Sequence, residues 1–208
     1  MPLALVNEMD DSGMNKHSRW ILAVGALLLV GTYFFPLWSI TVAAPQYPEG
    51  LGIYIRINTV DGHSKNDLKN LNIVNHYIGM QEIVPESIPE LKYMPAIVGF
   101  LIVSGLLIAW KGGKKTLYVW LALFSILALV GLIDFYLWNY DFGHNLDTEH
   151  AAIQIEGMTY QPPLFGTKTM LNFVTTSLPS GGGILAFLSI FMGFLAAFLN
   201  WRDKQPSE

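Results

Sequence analysis

Residues 116–138 read TLYVWLALFSILALVGLIDFYLW, twenty-three positions that carry a single charge, Asp134. A helix of about 20 apolar residues crosses the ~30 Å hydrocarbon core of a bilayer. This stretch is therefore expected to span a membrane, and its reading decides how the rest of the chain is divided. Runs at 20–42, 94–110 and 183–201 meet the same criterion. The expected fold is an all-α membrane protein with four transmembrane helices. Two long loops, 43–93 and 139–182, are expected to form a small α+β extracytoplasmic cap. A tail at 1–19, a turn at 111–115 and a tail at 202–208 complete the division. Composition agrees: 13% of the 208 residues are charged, about half the share usual in soluble domains.

Basic residues set the expected orientation, because short positively charged segments stay in the cytoplasm. Lys16, Arg19, Lys111, Lys114, Lys115, Arg202 and Lys204 all flank the same ends of the four runs. The other side holds Arg56, Lys65, Lys69, Lys92 and Lys168, diluted over the two long loops. Both termini are thus expected inside, in a bacterial cytoplasmic membrane, with the loops outside. Trp20, Trp38, Trp110, Trp138 and Trp201 fall at span ends, where indole rings favour the headgroup boundary. The first run is too long for a cleaved signal sequence, and Pro45 follows the small residues Ala43 and Ala44. It is expected as an uncleaved anchor, kinked at Pro36. Net charge is −4 with no basic cluster, which argues against nucleic-acid binding.

Loops of this length carry function more often than connection. In the first, residues 53–58 alternate apolar and polar, the period of a half-buried strand. Ser64-Lys-Asn-Asp67 has the form of a helix capping box, so a helix is expected to run from there to Val84, before Pro85. Asn72, Asn75, His76 and Gly79 recur along one face of it. In the second loop, residues 153–156 alternate again and are expected to pair with 53–58. Residues 169–178 are expected to form a short interfacial helix, ended by Pro179 and Ser180-Gly-Gly-Gly183.

The chain has no cysteine, which removes disulfides, thiolate metal sites and cysteine nucleophiles. A transition-metal site would have to use His, Met, Asp or Glu. His76 and Met80 stand four apart on the expected helix, with Cβ atoms about 5–6 Å apart. Imidazole with thioether is a donor set that suits copper. His144 and Met158 lie in the second loop, with His150 and Met170, and His63 lies in the first. Asp134, inside a span, is a further candidate ligand or a proton relay, since intramembrane carboxylates face a partner or a water-filled cavity. Each has a plainer structural role beside it: His76 bonding to its loop, Met80 filling a core gap, Asp134 accepting hydrogen bonds from the cap. No nucleophile motif, phosphate-binding loop or paired protease histidines occur, so no enzymatic activity is expected.

Three stretches together carry a family resemblance: Ala44-Pro-Gln-Tyr-Pro-Glu-Gly50, Asn75-His-Tyr-Ile-Gly-Met80, and Tyr140-Asp-Phe-Gly-His-Asn145 with Tyr160-Gln-Pro-Pro163. The chain resembles small bacterial membrane proteins found alongside nitrous oxide reductase maturation and copper-chaperone genes. The resemblance implies an accessory role on the periplasmic side, in copper supply or copper-enzyme assembly. Its partners would be membrane lipids and a copper chaperone or copper enzyme, and its motif residues would be His76, Met80 and His144. Two other functions fit the residues: a scaffold subunit of a membrane complex, and a lipid- or quinone-binding module using the Pro-rich segment near Phe165.

Overall fold

The computed structural model describes residues 13–153, 157–170 and 172–202. Elements follow in the order α1 (Lys16–Leu28), β1 (Trp38–Ala44), β2 (Tyr47–Ile55), β3 (Val60–Gly62), α2 (Asp67–Tyr77), α3 (Glu90–Lys111), α4 (Lys114–His144), β4 (Gly166–Met170), β5 (Phe173–Pro179) and α5 (Gly181–Arg202). The fold is mixed α+β, which corrects the all-α expectation. Among the described residues three helices, α3, α4 and α5, are long and apolar enough to cross a bilayer, not four. They mark a membrane-embedded protein.

The correction lies in residues 20–42. Helix α1 ends at Leu28, a 3-10 turn covers Leu29–Tyr33, and strand β1 starts at Trp38. Thirteen helical residues rise only about 20 Å. Pro36, between the 3-10 turn and the strand, lacks a backbone donor and cannot continue the helix, and Ile40-Thr41-Val42 is a β-branched run whose stiff side chains suit a pleated surface. The apolar run is continuous in sequence, yet helix α1 covers only its first nine residues and its last five, 38–42, are strand.

Contacts divide the chain into two compact units, Met1–Gly31 with Ala96–Ala128 and Leu185–Glu208, and Thr32–Pro95 with Leu129–Ile184. The first is helical. Leu22, Leu29, Leu101, Leu117, Trp120 and Ala196 head its core. Small residues let its helices approach: a Cβ on Gly105 would meet Ala26 and Trp120 at 3.0–3.2 Å. Trp120 donates its indole N–H to the Leu101 carbonyl at 3.0 Å. The Arg19 guanidinium donates to the Ala109 carbonyl at 2.7 Å and to that of Trp110, satisfying and neutralising the C-terminal end of α3.

The second unit holds a five-stranded antiparallel sheet in the order β3-β2-β1-β5-β4. Strand β1 is central, with Ile40 opposite Ile53 on β2 and opposite Ser177 on β5. Trp38, Ile40, Ile53 and Val60 face a core completed by Leu71 of α2 and Phe142 of α4. Segment 169–178, expected as a helix, is the β4–β5 hairpin. Its Val174-Thr-Thr176 run again favours a strand. Residues 53–58 do contribute a strand, but β2 pairs with β1 and β3; the expected partner lies at 153–156, of which 154–156 fall outside the described residues. Of the five tryptophans expected at a membrane boundary, Trp20, Trp110 and Trp201 are exposed. Trp38 is buried under the sheet, where it donates to Ser177 Oγ at 2.8 Å.

Candidate functional site

Helix α2 starts at Asp67, later than the capping box at Ser64 led one to expect, with Asn66 in the cap position and only one half of the box formed. The Asp67 carboxylate accepts from the backbone N–H of Ser64 at 3.1 Å and of Gly52 at 3.3 Å. It stops earlier than expected, at Tyr77, because Gly79 turns the chain with φ +77°. The returning segment is then held against the helix by its asparagines. Asn72 donates to the Ile83 carbonyl at 3.0 Å and accepts from the Ile83 N–H at 2.9 Å, as a strand partner would. The Met80 N–H donates to the Asn75 carbonyl at 2.8 Å. The asparagine stripe is therefore a brace for residues 80–83.

That turn forms one wall of a polar cleft of about 400 Å³, lined by His76, Met80 and Glu82 on one side and by Asn145, Asp147 and His150 on the other. The far wall is fastened at both ends. Asp147 N–H donates to the Gly79 carbonyl at 2.8 Å, and Ile153 N–H to the Tyr77 carbonyl at 2.9 Å. Between these points Asp147 organises the loop: its carboxylate accepts from the backbone N–H groups of Glu149 and His150, each at 3.1 Å. It also accepts from His150 Nδ1 at 2.9 Å. These bonds, led by the His150 backbone N–H, hold the Asp147 carboxyl below its ordinary value. A carboxylate only accepts, so Nδ1 carries the proton and Nε2 is left as a lone-pair donor. A carboxylate behind one ring nitrogen is the usual way a metal-binding histidine is oriented.

Of the expected ligands, His76 and Met80 share this cleft. The other three do not line it. His144 is exposed on α4, stacked on Tyr140 at 3.9 Å, with Nδ1 donating to the Tyr140 carbonyl at 2.9 Å. Asp134 is exposed near the end of α4's apolar stretch, and the charge acting on it is another carboxylate, Glu90. Met158 is half-buried and lines neither the cleft nor the cavity described next. His63 sits on the outer face of the sheet, its ring over Gly52, stacked on Tyr54 and bonded to Ser39 Oγ at 3.0 Å. Among the described residues, no group of three His, Asp or Glu side chains is clustered as a ready metal site. His150 joins the pair instead. It was visible only as one more histidine of the second loop, because its approach to α2 is made through backbone bonds that leave no pattern in the sequence.

A second space lies beneath the sheet, a narrow apolar cavity of about 60 Å³. Ile40, Ile53, Leu71, Ile78, Phe142 and Phe173 are among its walls, and Met80 lines it as well as the cleft. Four buried polar residues also line it, Asn75, Asn139, Tyr160 and Thr175, and two of them, Asn139 and Tyr160, keep an unpaired atom. The Asn139 amide donates to the Phe135 carbonyl at 2.9 Å, but its Oδ1 has no partner, and neither does the Tyr160 hydroxyl. Burial pushes the Tyr160 phenol above its ordinary value, so it remains a donor at neutral pH. Tyr160 is placed by its backbone, whose N–H donates to the Gly143 carbonyl at 2.9 Å. Gly143 has no side chain to keep Gln161 away; a Cβ there would overlap the Gln161 backbone. Phe165, expected as a lipid contact, is exposed and outside this cavity.

Comparison with protein-family models gave no match, and comparison with curated proteins gave none.

Proposed function

We propose that the chain is a non-catalytic, membrane-embedded accessory protein that binds copper(I) in the polar cleft and hands it to a copper chaperone or copper enzyme. The observation that carries this reading is that His76 and Met80 share the cleft with His150, whose Nδ1 is held by Asp147. Two imidazoles and one thioether form a soft, low-coordinate donor set of the kind copper(I) takes in preference to hard cations. The cleft is wider than one ion. The His150 loop is tied at Asp147 and Ile153, so closing it on the metal requires only the few residues between those ties to move. An open cleft with weakly preorganised ligands suits transient loading more than permanent storage. The resemblance of the Asn75–Met80 and Tyr140–Asn145 motifs points to the same role.

The proposed setting is the bacterial cytoplasmic membrane. With three crossings, the basic turn at 111–115 and Arg202 share one side, which positive charge places in the cytoplasm. The Arg19 bonds to the end of α3 bring Lys16 and Arg19 to that same end. Residues 145–180, and the cleft with them, then face the periplasm. Copper(I) titration of the full chain in detergent, against a chromophoric chelator without oxygen, tests the proposal. One equivalent is expected to bind, and His76→Ala, Met80→Leu or His150→Ala each to weaken it at least tenfold. Binding that ignores all three substitutions would overturn the assignment.

A further inference from the structure

One end of the helical unit is assembled from three places in the chain. The start of α1 meets the α3–α4 turn, where the Met14 N–H donates to the Gly112 carbonyl at 2.6 Å and Arg19 to those of Ala109 and Trp110. The end of α5 joins them, where Asn200 Oδ1 accepts from the Asn15 N–H at 3.0 Å. Every Lys and Arg of this unit that the structure describes stands at this end: Lys16, Arg19, Lys111, Lys114, Lys115 and Arg202. Among the described residues the unit has no Asp or Glu. The chain's three exposed tryptophans, Trp20, Trp110 and Trp201, neighbour these cations in sequence.

Helix stability does not account for the charges. Lys16 opens α1, and Lys114 and Lys115 open α4, ends at which the helix dipole disfavours a cation. The C-terminal end of α3 is already served by Arg19, so Lys111 is not required there. Packing does not account for them either, since Lys16, Lys111, Lys115 and Arg202 are exposed. An anion from outside the chain would answer them, and the tryptophans mark its level, because indole rings settle among the headgroups of a bilayer. Apolar stripes run on from two of these rings. Val24 and Leu27 follow Trp20 along α1, and Leu107 and Val103 precede Trp110 on α3, all of them exposed.

We infer that this end binds anionic phospholipid, its headgroup phosphate set among Lys16, Lys111, Lys115 and Arg202 and its acyl chains laid along the stripes below Trp20 and Trp110. A zwitterionic headgroup brings a cation of its own to this basic end, so charge complementarity selects the anionic lipid. The inference stands apart from copper binding at the cleft and uses none of its residues.

The test titrates the detergent-solubilised full chain with dioleoyl phosphatidylglycerol or dioleoyl phosphatidylcholine, the retained lipid counted by native mass spectrometry. Phosphatidylglycerol is expected to bind more tightly, by about tenfold or more. Each of Lys16→Gln, Lys111→Gln, Lys115→Gln and Arg202→Gln is expected to weaken it by about fivefold, the effect of one basic side chain at an anionic surface. The four together should abolish the preference. Lys65→Gln, Lys69→Gln and Lys92→Gln combined, in the other unit, should leave it intact. Glycerol phosphate, which lacks acyl chains, should not compete at equal concentration. Equal affinity for the two lipids, a preference that survives the combined basic-end variant, or one lost with the loop lysines instead overturns the inference. Competition by equimolar glycerol phosphate overturns it too, and leaves a site for small phosphates in its place.

Discussion

The cleft and the cavity lean on the same turn, yet they are built on opposite terms. The cleft is open and polar, and its charged groups stay near water, so each is inexpensive to keep and free to move. The cavity is narrow and apolar, and its two unpaired polar atoms are buried. Side chains that line a space in water can wait for a ligand without partners. Buried side chains have lost their water, so an unpaired atom among them carries that cost until a partner meets it. The cleft is therefore where exchange of an ion is expected.

Substitutions should separate the two regions. The largest effect is expected at Gly143, whose missing Cβ lets the Tyr160 segment lie on α4. Gly143→Val forces that backbone away and should destabilise the sheet unit by about 3 kcal/mol. Limited proteolysis should then cut within 157–163 while copper binding at the cleft persists in the folded fraction. Next is Gly79, with φ +77° and a would-be Cβ 2.6 Å from the Asp147 carbonyl oxygen. Gly79→Ala should cost about 2 kcal/mol from the left-handed backbone and the crowded contact. It should loosen the His150 loop, visible as faster amide exchange at Asp147, and weaken copper binding while the sheet unit stays folded. Asn72→Ala removes both bonds to buried Ile83 and is expected to lower thermal stability by about 1–3 kcal/mol.

The smallest effect is electrostatic. The folded Asp147 carboxyl titrates below its ordinary value, so its contribution to the loop is present above the ordinary carboxylate range and is lost as pH falls through the lowered value. Carbon-detected titration should place its midpoint below ~3.9. His150→Ala should raise that midpoint only part of the way, because the backbone N–H of residue 150 still donates. A midpoint at or above the free value would contradict the loop geometry.

How much of this was legible follows from what hydropathy measures. Helices α3, α4 and α5 were found with ends displaced by only a few residues, because a long uncharged run has no other stable home. Residues 20–42 misled because apolarity does not distinguish a helix from a buried strand. Gly31, Pro36 and the Ile40–Val42 run were the available signals, and a kink absorbed the proline too readily. The same β-branched signal marks Val174–Thr176 as strand β5, against the helix expected at 169–178. Near the site, His76 and Met80 do line one cleft, but not as an i, i+4 pair: α2 ends at Tyr77, and the turn at Gly79 brings Met80 round. His144, Asp134 and Met158 depended on long-range placement, which spacing does not encode. Tyr160 and Asn139 were invisible as a pair, although Tyr160-Gln-Pro-Pro163 had stood out as a motif; no local pattern announces that a hydroxyl will be buried.

X-ray absorption on the copper(I)-loaded chain addresses the central claim most directly. A first shell of one sulfur and two imidazole nitrogens is expected, the sulfur vanishing in Met80→Leu and one imidazole in His150→Ala. A shell of nitrogen and oxygen without sulfur, unchanged by either substitution, would contradict the assignment of copper to the cleft.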